Sequence, residues 1–275
     1  MAEDWATADQ ALEDFRAEAH VFVENDFRDA GHATTYQPTI YHYTDENGAL
    51  GILGNGKLWF TERVHLNDPT EIQYGLDVGR ESFEAAAKTR GPKIPRDAAL
   101  HLRGEHHFGL SYYGFWTASF SLDGDDLGQW RSYADDGRGV CLGFSIDNFD
   151  MVSLAALLPN TPNSLRLPIN YDADSLRASL QPYIDRSLDI LEAANLPARP
   201  GYHEHQGRAL LYERDLFHVL NNGLYANALL SKHPAYKHEQ EYRLLISGAR
   251  DAILRCAYHH WRDLRWTPSA GQESG

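Results

Sequence analysis

An uncharged stretch of fifteen residues, 108–122, limits the architectures that this chain can adopt. Its sequence, FGLSYYGFWTASFSL, is rich in aromatic and hydroxyl residues, which favour an extended backbone. Thr117, Ser119 and Ser121 alternate with apolar residues, so one face of such a strand carries only hydroxyl groups. We therefore expect a buried strand centred on Phe115–Phe120. Its hydroxyl face either lines a cleft or is solvated at the edge of a sheet.

Length, charge and apolar runs exclude several classes of protein. The chain has 275 residues, enough for a full hydrophobic core, and a formal net charge of −14, which disfavours holding nucleic acid through its phosphates alone. The longest apolar run covers only residues 154–158, too short to cross a bilayer, and residues 1–10 lack the basic and apolar regions of a signal peptide. Two cysteines, Cys141 and Cys256, cannot build a disulfide framework or a multi-cysteine zinc site. We expect a cytoplasmic protein that does not enter a membrane.

The order of the predicted elements indicates an α+β fold. Short strands are scattered among helices without regular alternation, which argues against a doubly wound parallel sheet. The glycine fingerprints of the common nucleotide-binding folds are absent. The predicted strands are 41–44, 57–61, 115–120, 137–145, 169–172 and 241–247. The predicted helices are 1–30, 48–53, 67–88, 174–195 and 204–231, and residues 123–133 are predicted to be a polar turn that leads into a short helix. Residues 159–168, with three prolines, are predicted to be an irregular connection.

The chain is predicted to have three segments: an N-terminal helical extension (1–35), a single domain (36–268) and a disordered tail (269–275). Residues 1–30 carry nine acids and two arginines, and their apolar residues follow helical spacing. This acidic helix either packs on the domain, binds a partner, or presents a solvated face.

Two clusters of side chains suggest contacts with a sugar and with an aromatic ring. In the strand 41–44, His42 and Thr44 share one face and can hydrogen-bond a sugar diol or an amide. The alternative is a structural histidine half-buried in a sheet. Trp130 and Tyr133, which follow Asp125, lie on one helical face and can stack on a base or a nicotinamide ring. The alternative for them is packing in the core.

An acidic cluster near the end of the chain suggests chemistry. Glu239, Glu241 and Arg243 follow a period of two and are predicted to share one strand face. Two carboxylates beside a guanidinium have coupled protonation, and such a carboxylate can stabilise an oxocarbenium cation or act as a general base. The alternative is an ion-pair ladder at the surface.

A metal site is not expected, although the chain has 14 histidines. The densest groups are His203 with His205, His106 with His107, and His259 with His260. None of them has HExxH spacing or a cysteine partner. A metal-dependent hydrolase that uses these histidines is kept as an alternative.

Taken in order, the motifs resemble an uncharacterised bacterial family of domains of unknown function, over about residues 40–247. The order of its strand motifs is in turn similar to the ADP-ribosyltransferase superfamily. There, a first strand carries His or Arg, a second carries an aromatic-hydroxyl motif, and a late loop and strand carry Glu-x-Glu. The motifs that carry the resemblance are Tyr41–Thr44, Lys57–Phe60, Asn67–Glu71, Ser119–Ser121, Asp126–Phe144 and Glu239–Arg243.

The resemblance implies a fold of split small β-sheets, flanked by helices, that holds NAD in a compact conformation. It implies that His42 binds the adenine-side ribose and that Ser119 buttresses the site. Glu241 would hydrogen-bond the nicotinamide ribose, and Glu239 would orient the acceptor. The other residues expected to contact NAD are Thr44, Ser121, Trp130, Tyr133, Arg243 and Asn67.

The activity implied is transfer of ADP-ribose from NAD to a protein or nucleic-acid acceptor, with NAD as substrate and no metal. Such enzymes in bacteria often serve as toxins or phage-defence effectors, and an antitoxin or immunity partner would accompany that role. Two alternatives keep the same cleft. One is an NAD glycohydrolase with water as acceptor, and the other is a non-catalytic module that binds a nucleotide or a partner.

Overall fold

The computed structural model describes residues 5–18, 39–56, 58–62, 71–95, 98, 102, 113–145, 164–195 and 208–249. The chain divides into two compact units. A helical unit takes in residues 1–30, 68–108 and 170–234, and a sheet unit takes in residues 31–67, 109–169 and 235–275. The predicted α+β class is confirmed. The predicted segments 1–35, 36–268 and 269–275 stay a prediction.

The strands of the sheet unit form an open antiparallel sheet. Its strand order is β4-β1-β3-β6-β5, and β2 also pairs with β3. The bounds are β1 Thr39–Thr44, β2 Thr61–Glu62, β3 Tyr113–Ser121, β4 Val140–Ser145, β5 Ser164–Pro168 and β6 Glu241–Ala249. The prediction of a buried strand within 108–122 is confirmed by β3, which pairs with β6 along its whole length.

The pairing between neighbouring strands is shortest between β1 and β3. Tyr41 lies opposite Ser121, and among the described residues this is the one pair in the strand register of β1 and β3. On its other edge β1 pairs with β4 over all six of its residues. The described strands therefore form one connected sheet in place of the two small sheets that the resemblance implies. Within this sheet, the β4–β1 pair is joined to β3 at Ser121, the last residue of β3.

The two faces of the sheet differ in chemistry because side chains alternate along each strand. One face carries a buried apolar cluster that includes Ile40, Phe120 and Leu244. The opposite face carries Ser119, Ser121, Glu241 and Arg243, with Tyr41 and Tyr43 on the neighbouring strand β1. The predicted hydroxyl face of β3 is thus the polar face of the sheet.

Two helices of the sheet unit begin at aspartate caps. In α2 (Glu46–Asn55) the Asp45 side chain accepts a hydrogen bond from the Gly48 N–H, and in α4 (Leu127–Tyr133) the Asp126 side chain accepts from the Gln129 N–H. The left-handed Gly56 ends α2, with φ of 60°.

The helical unit is built around a buried apolar core. Its helices are α1 (5–18), α3 (Glu71–Arg90), α5 (Ala173–Ala194) and α6 (Arg208–Ala228). The predicted N-terminal helix is confirmed over 5–18, and Ala8, Leu12 and Phe15 bury its apolar face. Of the three alternatives for this helix, packing is what the described residues show.

Several predicted strand positions are wrong. A strand was expected at 169–172, but β5 runs over Ser164–Pro168, where the prolines suggested an irregular connection. A proline is tolerated at the end of β5 because this strand is last in the strand order. Of the strand expected at 57–61, residues 58–60 are not in a strand, and β2 covers Thr61–Glu62. Left-handed backbone at Asp135, Asp136 and Gly137 delays β4 to Val140, although a strand was expected from residue 137.

Some predictions fall outside the described residues. These include the helix start at Asn67–Pro69, the tail at 269–275, and the histidine groups His106 with His107, His203 with His205, and His259 with His260. Within the ranges that are described, no helix is long and apolar enough to span a membrane.

Candidate functional site

Three motifs that are far apart in the sequence lie on neighbouring strands. Tyr41 of β1, Ser121 of β3 and Glu241 of β6 follow one another across the sheet. Two residues further along, Ser119 of β3 lies opposite Arg243 of β6. The register therefore brings together the histidine, hydroxyl and acidic motifs at the point where β1 attaches to β3.

Glu241 and Arg243 form a buried ion pair on the polar face. The Arg243 Nε donates to Glu241 Oε1 at 2.9 Å, and Arg243 Nη2 lies 2.8 Å from the same oxygen. The two side chains are only 2% and 5% exposed. The attraction between the two opposite charges offsets part of the cost of burying them. The alternative of a solvated ladder is therefore wrong for this pair.

Glu239 is not on the strand, so the period-two prediction is wrong at this residue. Glu239 ends a 3₁₀ turn, Pro234–Glu239, and Gln240 has a left-handed φ of 43° that breaks the extended backbone before β6 begins. The turn is held by β3: Ser121 Oγ donates to the Glu239 carbonyl at 2.8 Å, and the Leu122 N–H donates to the Gln240 carbonyl at 2.9 Å. Glu239 is buried at this fixed position.

His42 bridges β1 and β3 where their pairing stops. Its Nδ1 lies 3.0 Å from the main-chain carbonyl oxygen of Ser119. A carbonyl only accepts, so Nδ1 carries the proton and Nε2 is left as an acceptor. Burial lowers the pKa of His42, which favours this neutral form.

The two faces separate His42 from the acidic motif. The ring of His42 lies 5.5 Å from that of Phe120, on the apolar face, whereas Glu241 is on the polar face. Thr44 follows His42 by two residues on β1, and its Oγ1 approaches Gly48 so closely that a Cβ there would lie 2.1 Å away. His42 and Glu241 therefore lie on opposite faces of the sheet.

The three hydroxyls of β3 have different environments. Ser121 is buried, donates to the Glu239 carbonyl and accepts from the Asp123 N–H at 3.1 Å. Thr117 is buried, and its hydroxyl has no hydrogen-bond partner among the described residues. Ser119 is exposed between them. Of the three, Ser119 presents its hydroxyl to solvent.

A network around Tyr43 was not anticipated from the sequence. The Tyr43 hydroxyl donates to the Asp123 carbonyl at 2.8 Å and accepts from the Asp126 N–H at 3.0 Å. Its ring meets Trp130 edge-on, with centroids 5.2 Å apart. Burial raises the pKa of Tyr43 and that of the neighbouring Cys141 thiol, so both groups stay protonated at neutral pH.

Trp130 is fixed by the same loop, whereas Tyr133 lies at the exposed end of the helix. The Trp130 Nε1 donates to Asp125 Oδ1 at 2.9 Å, and the ring is partly buried. Tyr133 is 37% exposed at the end of α4. Two features of the sequence point to this arrangement. Tyr43 directly follows His42, so the two side chains point to opposite faces of the strand, and Asp123–Asp126 is a turn rich in aspartate.

Asn67 lies outside the described residues, so its predicted contact with NAD stays a prediction. Within the part of the chain that is described, no group of three histidine, cysteine or acidic side chains is placed to hold a metal ion.

The geometry defines an α+β protein whose antiparallel sheet gathers a histidine, hydroxyls and a pair of acids at one strand junction. Residues 129–244 match the model of a family described as a protein of unknown function (DUF2971). The matched region contains Glu239, Glu241 and Arg243, and it begins after Ser119 and His42. Neither the curated proteins nor the solved structures gave a match.

Proposed function

We propose that this protein is an NAD-dependent ADP-ribosyltransferase that acts on a macromolecular acceptor. The observation that carries the proposal is the meeting of β1, β3 and β6, with His42, Ser119 and Glu241 grouped where β1 and β3 cease to pair. This is the order of motifs for which the sequence resembles the ADP-ribosyltransferase superfamily.

The chemistry needs few groups. The bond between the nicotinamide nitrogen and C1′ of the ribose breaks, and nicotinamide leaves with the electron pair. The cationic C1′ then forms a bond with an oxygen or nitrogen of the acceptor, which loses its proton. A carboxylate held close to the cation lowers this barrier by about 3–4 kcal/mol, judged from the loss of comparable preorganised groups. Glu241 is proposed to supply this charge and to hydrogen-bond the nicotinamide ribose.

The remaining residues are proposed to bind and orient. The Nε2 of His42 accepts a hydrogen bond from a hydroxyl of the adenine-side ribose, because Nδ1 is committed to the Ser119 carbonyl. Glu239 orients the acceptor and takes its proton, as a general base does. Trp130, held by Asp125, limits the access of water to the cation.

Charge bears on the choice of acceptor. The formal net charge of −14 disfavours duplex nucleic acid, whose binding rests on neutralising phosphates. A protein or a single-stranded nucleic acid is the acceptor proposed, with a toxin or defence role following from the resemblance alone.

The test is to incubate the full chain with adenylate-labelled NAD and bacterial lysate, and to separate macromolecules from small products. Label on a macromolecule, lost in Glu239→Gln while nicotinamide is still released, is the expected result. Label found only in free ADP-ribose would instead identify an NAD glycohydrolase. Glu84→Gln, an exposed substitution on α3 in the helical unit, is the matched control.

The buried ion pair favours a second candidate, a module that binds NAD without cleaving it. The Glu241 carboxylate is already neutralised by Arg243 and almost fully buried, which reduces the charge available to a developing cation. Calorimetric titration with NAD separates the two candidates. Saturable binding with no nicotinamide in the recovered sample supports the module, and binding with nicotinamide release supports the transferase.

A further inference from the structure

The 3₁₀ turn Pro234–Glu239 is connected to β1 by a chain of three hydrogen bonds. Tyr43 Oη donates to the Asp123 carbonyl at 2.8 Å. The Asp123 N–H donates to Ser121 Oγ at 3.1 Å, and Ser121 Oγ donates to the Glu239 carbonyl at 2.8 Å. We refer to these bonds as the Tyr43 relay. The relay joins the ends of β1 and β3 to the turn that precedes β6.

Tyr43 has the hydrogen-bonding capacity that this position needs. A phenol has one proton to donate and two lone pairs to accept with. The proton goes to the Asp123 carbonyl, one lone pair receives the Asp126 N–H, and the Cys141 thiol lies at the same hydroxyl. Tyr43 is also buried, so water cannot take over the hydrogen bonds of its hydroxyl unless the surrounding residues rearrange.

The relay ends on the backbone of a residue whose orientation the proposed reaction needs. Glu239 is held next to the left-handed Gln240, whose carbonyl accepts from the Leu122 N–H. The loop after β3 therefore fixes both residues of the turn, and Tyr43 fixes that loop from the β1 side. Loss of the Tyr43 hydroxyl frees the Asp123 carbonyl and leaves the position of the turn less restricted.

We propose that Tyr43 is a positioning residue that, through the relay, holds Glu239 in place and so sets how the cationic C1′ partitions between the acceptor and water. This inference rests on the proposed function. It assigns to Tyr43 the choice of acceptor and not the cleavage of NAD, because the relay reaches Glu239 and not the carboxylate of Glu241.

The experiment measures product ratio and cleavage separately in the full chain. Wild type and Tyr43→Phe are incubated with NAD in a fixed mixture of water and methanol, where methanol is the acceptor probe. Mass detection gives methyl ADP-ribose, free ADP-ribose and nicotinamide. We expect the ratio of methyl ADP-ribose to ADP-ribose to fall by about two- to tenfold, the usual effect of one neutral hydrogen bond, while nicotinamide release changes less.

Two further variants control for folding. Tyr183→Phe removes a buried tyrosine hydroxyl that donates to the Val219 carbonyl at 2.6 Å in the helical unit, so it matches the chemical change away from the site. Ser121→Ala breaks the relay one step closer to Glu239 and should change the product ratio in the same direction. It decides the question if Tyr43→Phe does not fold.

The outcomes are distinguishable. Either of two results overturns the role of Tyr43. One is an unchanged product ratio in a folded Tyr43→Phe protein. The other is an equal fall of the product ratio and of NAD cleavage in Tyr43→Phe and Tyr183→Phe. Absence of nicotinamide release by the wild type overturns the proposed function, and this inference with it.

Discussion

His42 combines a structural and a proposed binding role in one imidazole. Its Nδ1–H donates to the Ser119 carbonyl of the neighbouring strand, and this bond fixes the tautomer that presents Nε2. Sequence patterns predict the presence of such a histidine but not its tautomer, which depends on Ser119, 77 residues further along the chain.

The shifted pKa of His42 predicts a dependence of stability on pH. Burial lowers the pKa below the usual 6.5, so the unfolded state takes up a proton first as the pH falls. The neutral His42 therefore makes its full contribution to the free energy of unfolding above about pH 6.5. This contribution is lost progressively as the pH falls from there to the lower pKa of His42 in the folded state. Denaturant titrations at about pH 7.5 and 5.5 should show a larger loss of unfolding free energy in the wild type than in His42→Asn. An equal loss in both proteins would contradict this.

At the scale of elements, regular periodicity was the most reliable signal. The helix predicted at 174–195 matches α5, and the chargeless stretch contains β3, because both patterns persist over many residues. The register of β1, β3 and β6 was not predictable, since it depends on pairing between distant segments. The Tyr43 relay was missed for the same reason. The sequence pattern places Glu239 on the strand, because a glutamine at position 240 does not mark a left-handed break in the backbone.

The loop after β3 packs tightly on β1, and this gives a prediction about Gly124. A Cβ at this position would lie 2.7–2.9 Å from three ring atoms of Tyr41. We expect Gly124→Ala to lower the unfolding free energy by about 1–3 kcal/mol, the usual cost of overpacking. Gly54→Ala, in α2, meets nothing within 4 Å and should raise stability by up to about 1 kcal/mol. Urea denaturation of both variants measures the contrast, and similar values for the two would refute the close packing.

At the scale of the whole molecule, the acidic N-terminal segment is integrated into the helical unit. Phe15 is fully buried and stacks on Tyr183 with ring centroids 5.1 Å apart. The Tyr212 hydroxyl donates to the Ala8 carbonyl at 2.9 Å, and Arg186 pairs with Glu18. The acidic side chains of α1 contribute to the net charge, while its apolar face contributes to the core.

This packing predicts that Phe15→Ala is strongly destabilising. Removing a buried aromatic ring costs about 3–5 kcal/mol, which thermal and denaturant unfolding can measure. Trp59→Ala is the comparison, because Trp59 is 86% exposed and its loss should change stability by less than about 0.5 kcal/mol. If Phe15→Ala were as stable as Trp59→Ala, α1 would not be part of the core.

Release of nicotinamide shows whether the strand junction cleaves NAD. Wild type, Glu241→Gln and Glu84→Gln are incubated with NAD, and free nicotinamide is followed by mass detection, with the melting temperature of each protein as a check on folding. We expect release by the wild type and by Glu84→Gln. In a folded Glu241→Gln protein we expect the rate of release to fall by about 100- to 1,000-fold. No release by the wild type, or equal release by Glu241→Gln, would contradict this expectation.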